Sequence, residues 1–402
     1  MSSQGLQHHE RWMERAMDLA RKGIALASPN PCVGAVIVDA TDEIVGSGFH
    51  TYNGVAHAEV LALKQAGARA RGATLYVNME PCSHVGRTGP CADAVIEAGI
   101  RRVVAGMEDP NPQVAGRGFQ RLREAGVEVL VGTGGEAARH LNEGFAWYIR
   151  RRRPLVILKS AMTLDGKIAG ALKRVPEREG LRENSSPEAS SSSTTWITGE
   201  AARGHVQQLR HSVDAILVGV GTVVADDPLL TDRTGMERRR PLLRVILDSK
   251  LRLPLESQIV KTCREDVMVF CPDPDEDSLP GEEKLLEERK LKLEERGVRV
   301  ERVRADESGS GRTNLEQVME RLGGHQILSV LIEGGAAVNG EVLRAGVADK
   351  VFFYYAPKIL GGSGSVPFAS GVDGEVTSVS SLRLHRIGED FAIEGYVRDP
   401  YA

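Results

Sequence analysis

The segment from Pro81 to Cys91 constrains this chain more than any other, because it brings two cysteines, each preceded by a proline, close together. The triplet His57-Ala58-Glu59 lies upstream of it. Imidazole nitrogen and thiolate sulfur are preferred ligands of zinc, and a catalytic zinc site has three protein ligands and a fourth position for water. The spacing therefore predicts one zinc ion bound by His57, Cys82 and Cys91.

Glu59 distinguishes a catalytic zinc site from a structural one. A closed structural site needs a fourth cysteine or histidine, and only His84 lies near enough in sequence to supply it. Zinc lowers the pKa of bound water toward neutrality. A carboxylate beside that water can carry its proton to a leaving amine. We therefore predict a zinc-dependent deaminase in which Glu59 is the catalytic proton shuttle.

The composition excludes several classes of protein. The net charge is −4 and only 4% of the 402 residues are aromatic, whereas nucleic-acid binders usually carry a basic surplus. No apolar run approaches the roughly 20 residues that span a bilayer, and the polar N-terminus carries no secretory signal. The five cysteines fit a reducing compartment better than a disulfide framework. We expect a cytoplasmic protein that binds neither nucleic acid nor membrane.

Hydrophobic periodicity predicts an α/β domain over residues 1–150. A first helix is expected at 10–27, and a hairpin of two strands at 33–38 and 44–49. Further helices and strands are expected at 59–66, 74–79, 92–98, 102–106, 118–125 and 127–131. We also expect the prolines before Cys82 and Cys91 to open helices, whose dipoles would favour the two thiolates.

Residues 151–402 form a second predicted α/β domain. The boundary lies near the arginines at 150–153, which are expected to be a solvated linker that leaves the two halves separable. Strands are predicted at 155–158, 215–218, 242–247, 267–270, 327–332, 351–355, 382–387 and 391–397, the last two as a hairpin. Residues 171–193 contain almost no large apolar side chains, so they predict a disordered insertion. The charged segment 272–296 predicts a surface helix at 285–293.

Motifs in both halves of the chain resemble one family. The spacing of Cys82 and Cys91 is longer than the C-x-x-C of cytidine and tRNA adenosine deaminases. Together with the other motifs it closely resembles the bifunctional riboflavin-biosynthesis deaminase–reductases. The other motifs are Ser28-Pro29-Asn30-Pro31-Cys32-Val33-Gly34, Asp109-Pro110-Asn111-Pro112, Leu164-Asp165-Gly166-Lys167, Trp196-Ile197-Thr198-Gly199, Val224-Ala225-Asp226-Asp227-Pro228 and Ile332-Glu333-Gly334-Gly335.

The resemblance implies a fold and two consecutive reactions. The fold is an N-terminal cytidine-deaminase-like three-layer α/β/α domain followed by a dihydrofolate-reductase-like α/β domain. The first reaction hydrolyses the 2-amino group of a diaminopyrimidinone ribosylamine 5′-phosphate with zinc. The second uses NADPH to reduce the ribosyl chain of the resulting aminouracil nucleotide to a ribityl chain.

The resemblance also implies site residues beyond the zinc ligands and Glu59. In the deaminase pocket these are Asn30, His50 and His84, whereas Cys32 is expected to be a packed small side chain. The residues implied to contact the reductase cofactor are Met162, Trp196, Thr222, Asp226, Gly334 and Gly335. The residues implied to contact the reductase substrate are Lys159, Thr194, Arg210, Leu230, Arg233 and Glu333.

Physical chemistry supports part of this assignment. The 5′-phosphate suits the planar fork of arginine, for which Arg210 and Arg233 are candidates. The backbone N–H groups after Ile332-Glu333 and after Gly219 are placed to bind a cofactor phosphate. Lys159 and Glu333 are expected at the ends of two strands.

Two other functions stay open at this stage. One is a nucleic-acid-editing zinc deaminase with an accessory domain, which the negative charge and few aromatics disfavour. The other is a non-catalytic, zinc-stabilised nucleotide-sensing module, which has no use for Glu59. The expected partners are small pyrimidine ribonucleotides, and a homo-oligomer stays open.

Overall fold

The computed structural model describes residues 3–86, 89–170, 196–274, 280–306, 311–372, 374 and 376–402. The predicted insertion at 171–193 and Thr194 lie outside the described residues. None of the described helices combines the length and apolarity that a membrane span requires.

The first sheet has five strands in the order β2-β1-β3-β4-β5. These are β1 (Gly34–Val38), β2 (Ile44–Phe49), β3 (Thr74–Met79), β4 (Arg102–Met107) and β5 (Glu128–Val131). Strand β1 is antiparallel to β2 and β3, whereas β3, β4 and β5 run parallel. The predicted hairpin is therefore confirmed.

Helices cover both faces of this sheet. They are α1 (Ser3–Arg21), α2 (Ala58–Ala66), α3 (Cys91–Glu97), α4 (Arg117–Glu124), α5 (Gly135–Leu141) and α6 (Glu143–Arg151). Apolar residues of α2, α3 and α4 form the core on one face, and those of α1 and α5 contribute to the core on the other. The predicted three-layer arrangement is confirmed, although the sequence pattern did not reveal α5 and α6.

The first helix ends earlier than its apolar periodicity predicts. It ends at Arg21, and residues 22–24 continue only as hydrogen-bonded turns before the chain contacts other segments. The carbonyl of Leu26 accepts from Tyr52 N–H, and that of Ala25 accepts from Arg239 N–H, both at 3.0 Å. Ala25 has a φ of 60°, which cannot continue a right-handed helix.

The second sheet has nine strands in the order β11-β10-β9-β8-β12-β6-β13-β16-β15. The strands from β11 to β13 run parallel, and the terminal hairpin β15–β16 adds antiparallel strands, as predicted. Strands of this half, including the small β7–β14 pair, are β6 (Leu155–Thr163), β7 (Lys167–Ala169), β8 (Ala215–Gly219), β9 (Leu243–Leu247), β10 (Val267–Pro272), β11 (Arg299–Val303), β12 (Ser329–Ile332), β13 (Lys350–Ala356), β14 (Val366–Pro367), β15 (Ser380–Ile387) and β16 (Asp390–Tyr396).

Helices pack on both faces of this sheet, over two apolar cores. They are α7 (Glu200–Ser212), α8 (Val220–Asp226), α9 (Gln258–Lys261), α10 (Pro280–Glu294), α11 (Leu315–Gly324) and α12 (Ala336–Arg344). Helix α10 contains the predicted surface helix. Strand β6 is longer than the predicted 155–158, because β13 pairs with it as far as Thr163. Lys159 therefore lies within β6 and not at its end.

Helix α6 joins the two halves. Its Trp147 is fully buried and belongs to the core of the second half, where it packs with Leu155 and its neighbours. The expectation of a solvated linker is wrong for Arg153, whose guanidinium donates to the buried Asp349 at 3.1 Å and lies 4.9 Å from the Trp147 ring. The boundary near residue 150 thus crosses a continuous packed region.

We predict that Trp147→Ala destabilises the second half by about 3–5 kcal/mol, because it leaves a large cavity in that core. The matched control is Trp196→Ala, since Trp196 is 60% exposed. Urea unfolding followed by circular dichroism should show a midpoint at a lower urea concentration for Trp147→Ala and an unchanged midpoint for the control. Equal midpoints for the parent protein and Trp147→Ala would contradict the packing of α6.

Candidate active sites

Three segments of the first half bring His57, Cys82 and Cys91 together. His57 is the N-cap residue of α2, Cys91 is the first residue of α3, and Cys82 lies in the irregular segment after β3. Their ligand atoms all lie within 4.8 Å of one another. His57 Nδ1 is 3.2 Å from Cys91 Sγ and 3.5 Å from Cys82 Sγ. One imidazole and two thiols at these distances fit a zinc ion.

Cys82 does not open a helix, contrary to expectation. The described residues between Pro81 and Cys91, 82–86 and 89–90, form no helix. The helix dipole nevertheless reaches the Cys82 sulfur, because the N–H of Cys91 donates to it at 3.3 Å. The hydrogen bond from the Cys91 thiol lowers the pKa of Cys82, and the His57 ring lowers it further. A thiolate at Cys82 suits a metal ligand.

Glu59 lies in the first turn of α2 and faces the same group. It is only 3% exposed, and its Oε2 has no hydrogen-bond partner among the described residues. Burial raises the pKa of Glu59 to about 7, although the neighbouring His57 opposes this rise. A buried carboxyl group that titrates near neutrality is suited to take up and release protons.

The expected pocket residues Asn30 and His50 are in direct contact. Asn30 Nδ2 lies 3.0 Å from His50 Nε2, and His50 Nδ1 lies 3.2 Å from the carbonyl of Ala56. The His50 ring packs edge-on against His57 at 5.2 Å between centroids. His84 lies in the segment between the two cysteines and is exposed. The structure thus places Asn30 and His50 beside the metal group.

Sequence reasoning missed three buried residues that hold this site together. Glu80 accepts hydrogen bonds of 2.7–3.1 Å from four backbone N–H groups, which fixes the loop after β4 next to Cys82. Asn78 Nδ2 and Asn142 Nδ2 both donate to the carbonyl of Cys32, at 2.9 and 3.1 Å. The sequence did contain an indication of Asn78 and Glu80, because both are polar residues at the end of a strand that is otherwise apolar and buried.

A second cluster lies in the second half, at the carboxyl end of β12 and beside the middle of β6. Glu333 follows β12, and its Oε2 accepts from Lys159 Nζ at 3.3 Å. Arg210 of α7 binds both carboxylate oxygens of Glu333, at 2.8 and 3.2 Å. All three side chains are no more than 12% exposed. Ligands of open α/β sheets bind at this end of the strands.

Lys159 and Arg210 keep the Glu333 carboxylate ionised. Burial alone would raise the pKa of Glu333, but Lys159 and Arg210 outweigh burial and lower it to about 2. Arg210 was expected to bind the substrate phosphate. Its Nη1 also donates to the carbonyl of Thr231 at 3.1 Å, so its hydrogen bonds hold the cluster and the adjoining loop.

The glycines at the carboxyl ends of β8 and β12 have two different environments. A Cβ on Gly219 or Gly334 would lie 2.7 Å from Val338, so these two glycines allow β8, β12 and α12 to pack closely. A Cβ on Gly335 would meet no atom within 4 Å. The backbone at the start of α12 is therefore accessible, which fits a bound phosphate of NADPH.

The remaining predicted reductase residues are spread over the second half. Met162 and Leu230 are buried, and Leu230 belongs to the apolar core. Trp196 is exposed, with the Arg203 guanidinium 5.1 Å from its ring. Thr222 lies in α8, and Asp226 and Arg233 are exposed.

Comparison with known protein families matches both halves of the chain. Residues 6–107 match the zinc-binding region of cytidine and deoxycytidylate deaminases, and residues 187–393 match the RibD C-terminal domain. The chain is 39% identical over 393 residues to riboflavin biosynthesis protein RibD of Actinobacillus pleuropneumoniae, covering 97% of this chain and 95% of that protein. It is 42% identical over 391 residues to RibD of Synechocystis, covering 96% and 95%.

Solved structures agree with this assignment over the whole chain. Acinetobacter baumannii RibD, form 1, superposes with a TM-score of 0.77 at 34% identity, covering 97% of this chain and 99% of that one. The deaminase/reductase of Thermotoga maritima superposes with a TM-score of 0.74 at 34% identity, covering 98% and 99%. The chain therefore belongs to the RibD family: it is a bifunctional enzyme of riboflavin biosynthesis that joins a zinc-binding deaminase domain to an NADPH-dependent reductase domain.

Proposed function

We propose that residues 1–150 form the deaminase and residues 151–402 the reductase, with His57, Cys82 and Cys91 as the zinc ligands. The observation that carries the deaminase assignment is the buried Glu59 beside these three residues. When bound, zinc supplies a Lewis acid that makes water nucleophilic near neutral pH. The substrate is the free diaminopyrimidinone ribosylamine 5′-phosphate.

Glu59 moves the protons of the first reaction. Attack at C2 of the pyrimidine forms a C–O bond and breaks the C–N bond to the 2-amino group. The Glu59 carboxylate accepts a proton from the attacking water and returns it to the departing nitrogen, which leaves as ammonia. Asn30 and His50, which hydrogen-bond to each other, line the pocket that orients the pyrimidine.

Lys159 acts in the second reaction. NADPH supplies the hydride for C1′ of the ribosyl group. For C1′ to accept this hydride its bond to the ring oxygen must break, and the leaving ring oxygen takes up a proton, for which the Lys159 ammonium is the donor within this cluster. Glu333 accepts from both Lys159 and Arg210, so it positions the ammonium and remains a carboxylate. Gly335, Thr222 and Trp196 would contact NADPH.

We infer that the enzyme acts on free nucleotides in the cytoplasm and not on nucleic acid. The five cysteines are all free, which supports a reducing compartment. The net charge of −4 gives no general attraction for a polyanion. Strand β15 lies at the edge of the large sheet with Leu382 and Leu384 exposed, which supports a homo-oligomer.

We predict that Cys91→Ser loses most of its zinc, because a hydroxyl replaces one of the three ligands. Metal analysis of the purified protein should give about one zinc per chain for the parent enzyme, and much less for the variant. Cys263→Ser is the matched control, since Cys263 lies outside the metal group. Full zinc retention by Cys91→Ser with normal deamination would remove Cys91 from the site.

We predict that Glu59→Gln lowers the rate of ammonia release by roughly 10²–10⁴-fold, because glutamine keeps the shape of the side chain but cannot shuttle protons. Zinc content and reduction of a supplied aminouracil nucleotide should stay at the parent level. Near-normal deamination by this variant would refute the role of Glu59.

We predict that Lys159→Met lowers the rate of NADPH oxidation by roughly 10²–10⁴-fold and leaves deamination unchanged, because only the proton donor of the second site is lost. Lys261→Met is the control, since Lys261 is half-exposed on the short helix α9. NADPH binding, followed by its fluorescence, should persist in both variants. Reduction at the parent rate by Lys159→Met would exclude Lys159 as the donor.

A further inference from the structure

Three consecutive arginines of the reductase domain lie where that domain meets the deaminase domain. Arg238 donates to the carboxylate of Asp232 at 3.1 Å and to backbone carbonyls at the end of α7. Arg240 forms an ion pair with Asp214 at 3.4 Å and donates to the carbonyl of Gln326 at 2.7 Å. Arg239, between them, has no carboxylate partner among the described residues.

Arg239 contacts the two segments that supply the deaminase pocket. Its backbone N–H donates to the carbonyl of Ala25 at 3.0 Å, in the segment that leads to Asn30. Its guanidinium lies over the ring of Tyr52, 4.5 Å from the centroid, and Tyr52 follows His50 by two positions. Arg239 of the second half is thus held against two segments of the first half, one leading to Asn30 and one following His50.

The Arg239 guanidinium forms no ion pair within the described part of the chain. Its Nε is buried without a hydrogen-bond partner within the described part of the chain, and the side chain as a whole is half-buried. A partly desolvated cation with unused donors gains free energy when an anion binds. The planar fork of arginine fits a phosphate with two parallel hydrogen bonds, and the ring of Tyr52 holds the guanidinium in place.

We propose that Arg239 binds the 5′-phosphate of the deaminase substrate, so that the reductase domain supplies part of the first active site. This assignment rests on the proposed deaminase function. The phosphate is the strongest anion of the proposed substrate, and it lies at the far end of the ribosyl group from the pyrimidine. Arg239 would then select nucleotides over nucleosides in the first reaction.

The test compares two substrates with the full-length, zinc-loaded enzyme. Ammonia release is measured with the diaminopyrimidinone nucleotide and with the same compound after phosphatase treatment. Arg239→Met should lower kcat/KM for the nucleotide about tenfold, which corresponds to the loss of one charge-assisted hydrogen bond. Its kcat/KM for the nucleoside should stay within about twofold of the parent value. Arg239→Lys should recover only part of the loss, because it retains the charge but not the planar fork.

Two controls separate phosphate binding from a structural effect. Arg264→Met removes an exposed arginine of the same domain that has no carboxylate partner among the described residues. It should leave kcat/KM unchanged for both the nucleotide and the nucleoside. NADPH-dependent reduction by Arg239→Met should equal that of the parent enzyme. Equal losses for nucleotide and nucleoside, or no loss for either, would overturn the assignment. Failure of the parent enzyme to deaminate either compound would instead overturn the proposed function, and this assignment with it.

Discussion

The packing of helix α6 against the second half of the chain fixes the relation between the two domains. Trp147 is fully buried in the core of that half. One turn earlier, Glu143 accepts from Lys350 at 2.6 Å, and Lys350 also pairs with Glu394. Lys350 is only 4% exposed, and a buried ammonium requires such partners. The two domains are therefore held by an apolar anchor and a buried ion network. The proposed role of Arg239 in the first site depends on this contact between the halves.

The two sites use glutamate in opposite ways. Glu59 is buried without a cation that outweighs burial, so its pKa rises to about 7 and it can exchange protons. Burial would also raise the pKa of Glu333, whose side chain is 12% exposed, but Lys159 and Arg210 lower it to about 2, so it stays charged and accepts their hydrogen bonds. The surroundings of each carboxylate thus suit one to proton transfer and the other to positioning, as we propose. The two reactions need different chemistry, and the chain provides it with the same residue type.

Local patterns predicted much of this molecule. Alternating apolar residues gave the hairpin β1–β2 and the central strands, and the residue types at His57, Cys82 and Cys91 predicted a metal group that the fold does assemble. Residues whose role depends on distant contacts were not predictable. Arg210 on a helix looks like a solvent-facing side chain until α7 is placed beside Glu333. The predicted first helix was too long at its carboxyl end. The hydrogen bonds from Tyr52 and Arg239 to its last predicted turn join residues distant in sequence, so local periodicity could not indicate them.

The central claim is that one chain carries out hydrolysis first and reduction second, at two separate sites. Mass spectrometry of the products formed from the diaminopyrimidinone nucleotide, with and without NADPH, tests this claim most directly. Without NADPH, the deaminated aminouracil nucleotide should accumulate with its ribosyl group intact. With NADPH, it should be replaced by the ribityl product. Reduction of the ribosyl group while the 2-amino group remains, or no deaminated product in the absence of NADPH, would contradict the account.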